Sequence, residues 1–181
     1  MLGQMTRAAQ AGLIVAMLMM AANVVQADIS RFYGNYTGSA EVISADGTAR
    51  ARDMSVDISG VKHGFRVSWS STTYRENGTA KQKSYTIDFT QSDRSGVFAA
   101  AMKRNVFGHD VQLDPMKGEP YVWSRIEGDT LSVYSMYVTD GGGYEIQQFD
   151  RTLAEGGLAL EFRNVRDGQI LRTVSTFLKK Q

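Results

Sequence analysis

The sequence predicts an all-β domain, an antiparallel up-and-down β-barrel of about ten strands, with a β-sandwich as the alternative. Apolar and polar residues alternate with a period of two through most of the chain after residue 28. Turn signals rich in Gly, Asn and Asp separate these runs, and both prolines lie in one segment, so little interrupts strand pairing. A long meander exposes two edges unless it closes on itself, and we therefore favour the barrel.

The first predicted strand follows the aromatic stretch "FYGNY" (32–36). Alternation places one set of its side chains on a single face: Tyr36, Gly38, Ala40 and Val42. We interpret three aromatic residues as a plug for the base of the barrel: Phe32, Tyr33 and Tyr36. Alternation is clearest in four later runs: 53–59, 65–70, 84–89 and 158–163. Hairpin turns are predicted at 45–48, 62–64, 76–79, 93–96, 127–129, 140–143, 155–157 and 166–168.

The segment that precedes this domain has the features of a secretory signal peptide, which we assign to residues 1–27. Arg7 supplies a positive charge, residues 11–25 are almost entirely apolar, and "VVQA" ends in a small residue suited to cleavage after Ala27. The apolar run is shorter than the roughly 20 residues of a membrane-spanning helix. We therefore expect an exported protein, periplasmic or secreted, with a single domain at 28–181 and no transmembrane anchor after cleavage.

Composition excludes several classes of function. The chain has 20 Lys and Arg and 19 Asp and Glu, and the leader holds only Arg7, so residues 28–181 carry about equal numbers of each charge. Nucleic-acid binding requires a basic surface and is not expected. Cysteine is absent, which excludes disulfides, thiol catalysis and thiolate metal sites. We find no metal-binding or phosphate-binding motif and predict no metal and no cofactor.

One connection is longer than the others, "KRNVFGHDVQLDPMKGEP" at 103–120. Long loops in compact domains often carry function, and this one would lie at one rim of a closed meander, where it acts as a lid or is only an ordered excursion. It contains His109 beside Asp110, a pair that would permit acid–base chemistry. The other histidine, His63, lies in a predicted turn and is expected to be solvated.

Candidate ligand-binding residues are those that alternation turns toward the interior, together with two from the long connection: Tyr36, Phe65, Trp69, Tyr85, Phe89, Phe107, His109 and Phe162. The same aromatic residues would also serve simply to fill a small barrel. Arg172 is a further candidate. It shares a face with Ile170 and Val174, whereas the opposite register would place it in water, and Arg151 has the same ambiguity. An inward arginine must pair with an acid or with an acidic ligand group.

Two stretches resemble the calycin group of small barrels, which includes lipocalins and fatty-acid-binding proteins. They are Gly34-Asn35-Tyr36, at the place of the Gly-x-Trp that plugs the lipocalin base, and the hairpin "IEGDTL" (126–131). The opening motif also resembles that of a group of exported Gram-negative bacterial proteins. The resemblance implies a barrel that encloses a small apolar ligand, and fatty-acid-binding proteins use interior arginines to hold acidic groups.

Three functions follow from these observations. The first is a non-enzymatic, exported barrel that binds a small hydrophobic or acidic amphipathic ligand. The second is a cell-envelope structural or interaction protein with a packed barrel and no ligand. The third, with least support, is an enzyme that uses the 103–120 connection, and we expect no catalytic residue.

Overall fold

The computed structural model describes residues 28–44, 47–75, 77–101, 103–104, 110–111 and 113–181, without the side chains of residues 44, 101, 103, 104 and 110. A 3-10 helix, Ile29–Phe32, precedes the first strand, and a second, Pro115–Lys117, precedes the eighth. The strands are β1 (Gly34–Ser44), β2 (Ala49–Val61), β3 (Gly64–Tyr74), β4 (Ala80–Gln91), β5 (Val97–Ala101), β6 (Lys103–Arg104), β7 (Asp110–Val111), β8 (Tyr121–Glu127), β9 (Thr130–Val138), β10 (Tyr144–Ala154), β11 (Gly157–Arg166) and β12 (Gln169–Lys180).

Ten of these described strands close into one barrel in the order β1-β12-β11-β10-β9-β8-β5-β4-β3-β2. All neighbouring pairs are antiparallel. The two short strands β6 and β7 form a separate ribbon within the long connection. The predicted all-β up-and-down barrel of about ten strands is confirmed. The sandwich alternative is wrong, because the sheet closes on itself. The architecture is consistent with a calycin-like fold.

The first 3-10 helix closes one end of the barrel, which we call the closed end. Asp28 caps this helix by accepting a hydrogen bond from the Ser30 backbone N–H (2.9 Å). Phe32 is fully buried, and the Tyr36 hydroxyl donates to the Phe32 carbonyl oxygen (2.9 Å). The Lys180 Nζ, from the last strand, lies 5.7 Å from the centre of the Tyr36 ring. The predicted aromatic plug is therefore confirmed.

Apolar side chains fill the barrel above this plug. Phe65 stacks on Phe89 with ring centres 5.0 Å apart, and Phe98 meets Phe65 edge-on at 5.1 Å. Aliphatic residues from other strands of the barrel join them: Ile58, Ile126, Leu131, Leu158 and Leu178. Packing is tight between the paired strands β3 and β4, since a Cβ on Gly64 would come within 1.9 Å of the Phe89 carbonyl oxygen. The closed half of the barrel is thus a packed core.

The opposite end, which we call the open end, is built differently. β4 pairs with β3 along almost its whole length, but with β5 only through residues 88–91. Among the described residues, no strand is paired to the other edge of β4 at 80–87. The connection 103–120 begins here and includes the β6–β7 ribbon and the second 3-10 helix, which lies against β9. Its residues Phe107 and His109 lie outside the described part of the chain.

The predicted signal peptide, residues 1–27, also lies outside the described part of the chain. Within the described ranges, no helix has the length and apolar character needed to cross a membrane.

Replacing Tyr36 should measure the contribution of the plug to stability. We expect Tyr36→Ala to lower the free energy of unfolding in urea by about 3–5 kcal/mol, because it empties a buried aromatic site. Tyr36→Phe should cost about 1–2 kcal/mol, since it removes only the hydrogen bond to Phe32. Tyr144→Ala, at a half-exposed ring of the open end, is the control and should change stability by about 0.5 kcal/mol or less. If Tyr36→Ala and Tyr144→Ala lowered the free energy of unfolding equally, Tyr36 would not be part of a stabilising plug.

Candidate ligand cavity

A cavity of about 190 Å³ lies inside the barrel, between the packed core and the open end. Its apolar wall consists of Met54, Trp69, Phe149, Leu160, Phe162 and Val174. Four basic side chains also reach it: Arg52, Lys83, Arg151 and Arg172. No Asp or Glu is among its described lining residues. The cavity therefore combines apolar walls with an excess of positive charge.

Arg151 is the most deeply buried of these cations. Only 1% of this charged residue on strand β10 is exposed. Its Nε and Nη1 atoms are buried and have no hydrogen-bond partner among the described residues. The guanidinium carbon lies 5.4 Å from the centre of the Phe149 ring, a cation–π distance. Burial lowers the pKa of Arg151 to about 10, against a smaller opposing effect of the Asp150 charge. The guanidinium is thus desolvated and incompletely compensated.

Arg52 and Arg172 lie nearer the open end and close enough to repel each other. Within the described part of the chain, the Nε atom of each is buried without a hydrogen-bond partner. Burial, and then the charge of Arg172, lowers the pKa of Arg52. The side-chain oxygen of Asn164, which lies on β11 opposite Arg172, also has no partner there. Several polar atoms around the cavity therefore lack a hydrogen-bond partner among the described residues, which is unusual for buried groups.

A second buried charge near the open end is fully compensated and provides a contrast. Glu145 is 3% exposed, and Arg166 donates to its Oε2 from Nη2 (2.6 Å) and Nε (3.0 Å). Burial alone would raise the pKa of Glu145, but hydrogen bonds from Tyr137, Arg166, Asn164 and Gln147 outweigh it and lower the pKa. The fold can therefore pair an interior charge, and it does not do so for Arg151.

Aromatic rings form a continuous wall on one side of the cavity. Trp69 stacks on Tyr85 at 5.2 Å and meets Phe149 at 5.8 Å, and Phe149 meets Phe162 at 4.7 Å. Tyr85 is 49% exposed, and Lys83 on the same strand is exposed too. Both lie on the part of β4 that has no second strand partner among the described residues. This side of the barrel offers a route between solvent and cavity.

The structure separates the predicted site residues into three groups. Four line the cavity: Trp69, Tyr85, Phe162 and Arg172. Three belong to the packed core of the closed half and do not line it: Tyr36, Phe65 and Phe89. Phe107 and His109 lie outside the described residues. His63 is exposed in the turn between β2 and β3, as predicted.

The register of β12 and β10 answers a question that periodicity left open. Arg172 and Arg151 both point inward, and the neighbouring Phe177 is 45% exposed on the outer face. Arg52 and Phe149 are lining residues that sequence reasoning missed. The sequence does contain an indication for Arg52, because Arg52 and Met54 are two residues apart in "ARARDM" and therefore lie on the same face of the strand.

No group of three or more Asp, Glu, His or Cys residues within the described ranges is arranged to hold a metal ion. The protein-family models, curated proteins and solved structures compared with this chain include no significant match. The assignment of the candidate site therefore rests on the geometry and chemistry of its residues.

Substitution of Arg151 should reveal its desolvation. We expect Arg151→Met to leave the free energy of unfolding unchanged or to raise it by about 1 kcal/mol or more, because an unpaired buried cation is replaced by an apolar side chain of similar length. Arg166→Met is the comparison and should cost about 1–3 kcal/mol, since it leaves Glu145 without its cation. Urea unfolding monitored by tryptophan fluorescence measures both. If Arg151→Met lowered the free energy of unfolding as much as Arg166→Met does, Arg151 would not be an uncompensated buried cation.

The compensated pair predicts a pH dependence. The pKa of Glu145 is lowered in the folded state, so its ionised form stabilises the fold above its ordinary titration range, near pH 4.3, and this contribution is lost as the pH falls through the folded-state pKa. We expect the stability gap between the original protein and Glu145→Gln to be constant from pH 7 to about pH 5 and to narrow below about pH 4. Glu155→Gln, in an exposed turn, is the control. A stability difference between the original protein and Glu145→Gln that stays constant below pH 4 would contradict the lowered pKa of Glu145.

Proposed function

We propose that this protein is an exported, non-enzymatic β-barrel that binds a small amphipathic ligand with an acidic group inside its open half. The observation that carries the proposal is a set of buried guanidinium nitrogens that have no hydrogen-bond partner among the described residues, around an apolar-walled cavity with no acid in its described lining. Export to the periplasm, and membership of the exported Gram-negative group that the opening motif resembles, are part of this proposal and are supported by the N-terminal pattern of the sequence.

The physical argument concerns compensation of charge. A guanidinium that leaves water without an acidic partner loses hydration and gains nothing in return, a cost of several kcal/mol. A carboxylate or phosphate in the cavity would accept two parallel hydrogen bonds from one guanidinium. The aromatic wall would contact the apolar part of the same ligand. Cavity and cations together thus favour an amphipathic acid over a wholly apolar ligand.

The second candidate, a cell-envelope interaction protein, is supported by a different feature. On the outer face of β8 and β9, Trp123 stacks on Tyr134 with ring centres 4.9 Å apart and contacts the tilted ring of Tyr121 at 5.7 Å. Such a surface suits a protein partner. It does not account for the cavity, however, and we rank this function second. The enzymatic alternative depends on His109 and gains no support from the described residues.

Binding of octanoate compared with octanol tests the proposal, because the two ligands share a chain and differ in charge. We expect octanoate to bind at least tenfold more tightly by isothermal titration calorimetry, since a charge-assisted hydrogen bond contributes about 1.5–3 kcal/mol. Arg151→Met should reduce this preference, whereas Arg66→Met, at an exposed ion pair with Asp88 on the outer face, should retain it.

Equal affinity for octanoate and octanol would overturn the acidic part of the proposal. Absence of binding by either ligand, in a protein shown to be folded by its circular dichroism, would overturn the ligand-binding function.

A further inference from the structure

The strand register arranges the cavity wall in three successive rows across β10, β11 and β12. Arg151 lies opposite Leu160 in the row nearest the core. Phe149, Phe162 and Val174 form the next row. Gln147, Asn164 and Arg172 form the row nearest the open end. The wall thus changes from cationic to aromatic and back to cationic along the barrel axis.

The two cationic rows are separated by a distance that strand geometry fixes. Leu160 and Asn164 are four residues apart on β11, and at about 3.3 Å per residue their rows are about 13 Å apart along the strand. Arg52 belongs to the outer level, because it lies three residues from the open end of β2 as Arg172 does on β12, and both residues line the cavity. The charge of Arg172 also lowers the pKa of Arg52, after burial. Among the described lining residues, Arg151 is the cation of the inner row. The Arg151 guanidinium carbon lies 5.4 Å from the centre of the Phe149 ring, so this side chain reaches toward the aromatic row between the two levels.

The polar atoms without partners occur at both levels. They are Nε and Nη1 of Arg151 at the inner level, and Nε of Arg52 and Nε of Arg172 at the outer level. A ligand with one acidic group would compensate only one level, and the other would remain unpaired. Compensation of both levels requires two acidic groups at opposite ends of one molecule.

The volume of the cavity limits what lies between those groups. A cavity of about 190 Å³ holds about six water molecules at about 30 Å³ each, and an engineered apolar cavity of about 150 Å³ in another protein holds benzene. The space therefore suits one ring. The adjacent row presents Phe149 and Phe162, and Trp69 meets Phe149 at 5.8 Å, which are contacts that favour a flat aromatic body.

We propose that the ligand is a compact aromatic diacid, with one acidic group at Arg151, the ring against Phe149 and Phe162, and the second acidic group between Arg52 and Arg172. This inference rests on the proposed function, because it specifies the ligand class of the same cavity. Two carboxylates, or a carboxylate and a phosphate or sulfonate, meet the same requirement.

Calorimetric titration with benzene-1,4-dicarboxylate and benzoate tests the inference. We expect the dicarboxylate to bind at least tenfold more tightly than benzoate. Arg172→Met should lower dicarboxylate affinity to the level of benzoate while changing benzoate affinity less than threefold, because benzoate occupies the inner level. Arg151→Met should weaken both ligands at least tenfold. Arg66→Met, on the outer face, should leave both affinities unchanged.

The outcomes separate this inference from the proposed function. Equal binding of dicarboxylate and benzoate, or a dicarboxylate advantage that survives Arg172→Met, would overturn the two-level assignment and leave the acidic-ligand function intact. Tighter binding of octanoate than of either aromatic acid would also overturn the inference alone. Failure of benzoate, dicarboxylate and octanoate to bind the folded protein would overturn both.

Discussion

When ten strands close into a barrel, alternate side chains of each strand enter one narrow interior, and every row must fill that space or leave it to water or a ligand. In this protein the two halves differ. The closed half is filled by the 3-10 helix, Tyr36 and the Phe65–Phe89 pair. The open half holds a cavity instead, and arginines occupy positions where the alternating pattern would otherwise place apolar residues. Closure thus brings residues from six strands around one small volume.

Compensation of charge is the physical argument on which the proposed ligand rests. The same barrel pairs Glu145 with Arg166 near the open end, and it pairs Arg66 with Asp88 and Arg163 with Asp150 on the outer face. Exposed pairs of that kind contribute little to stability. Arg151 is buried and has no such pair among the described residues, and the proposed acidic ligand would compensate its charge.

Most of the fold could be predicted from the sequence, because alternation and short turns encode strands and their neighbours directly. Arg172 and Arg151 show where this information ends. Their strands are amphipathic in both registers, since Leu171 and Phe177 alternate as well as Ile170 and Val174 do, and only closure of the barrel selects one face. Tyr36, Phe65 and Phe89 show a second limit of prediction from the sequence. Alternation indicates that they face inward, but their height along the barrel axis decides between core and cavity.

The central claim is that an acidic ligand compensates the interior arginines, and native mass spectrometry of the protein purified from its own host tests it most directly. The account predicts a small adduct that is retained by the original protein, released by acid, and absent from the folded Arg151→Met variant. An original protein with the mass of the bare chain, or an adduct that Arg151→Met retains in full, would contradict it.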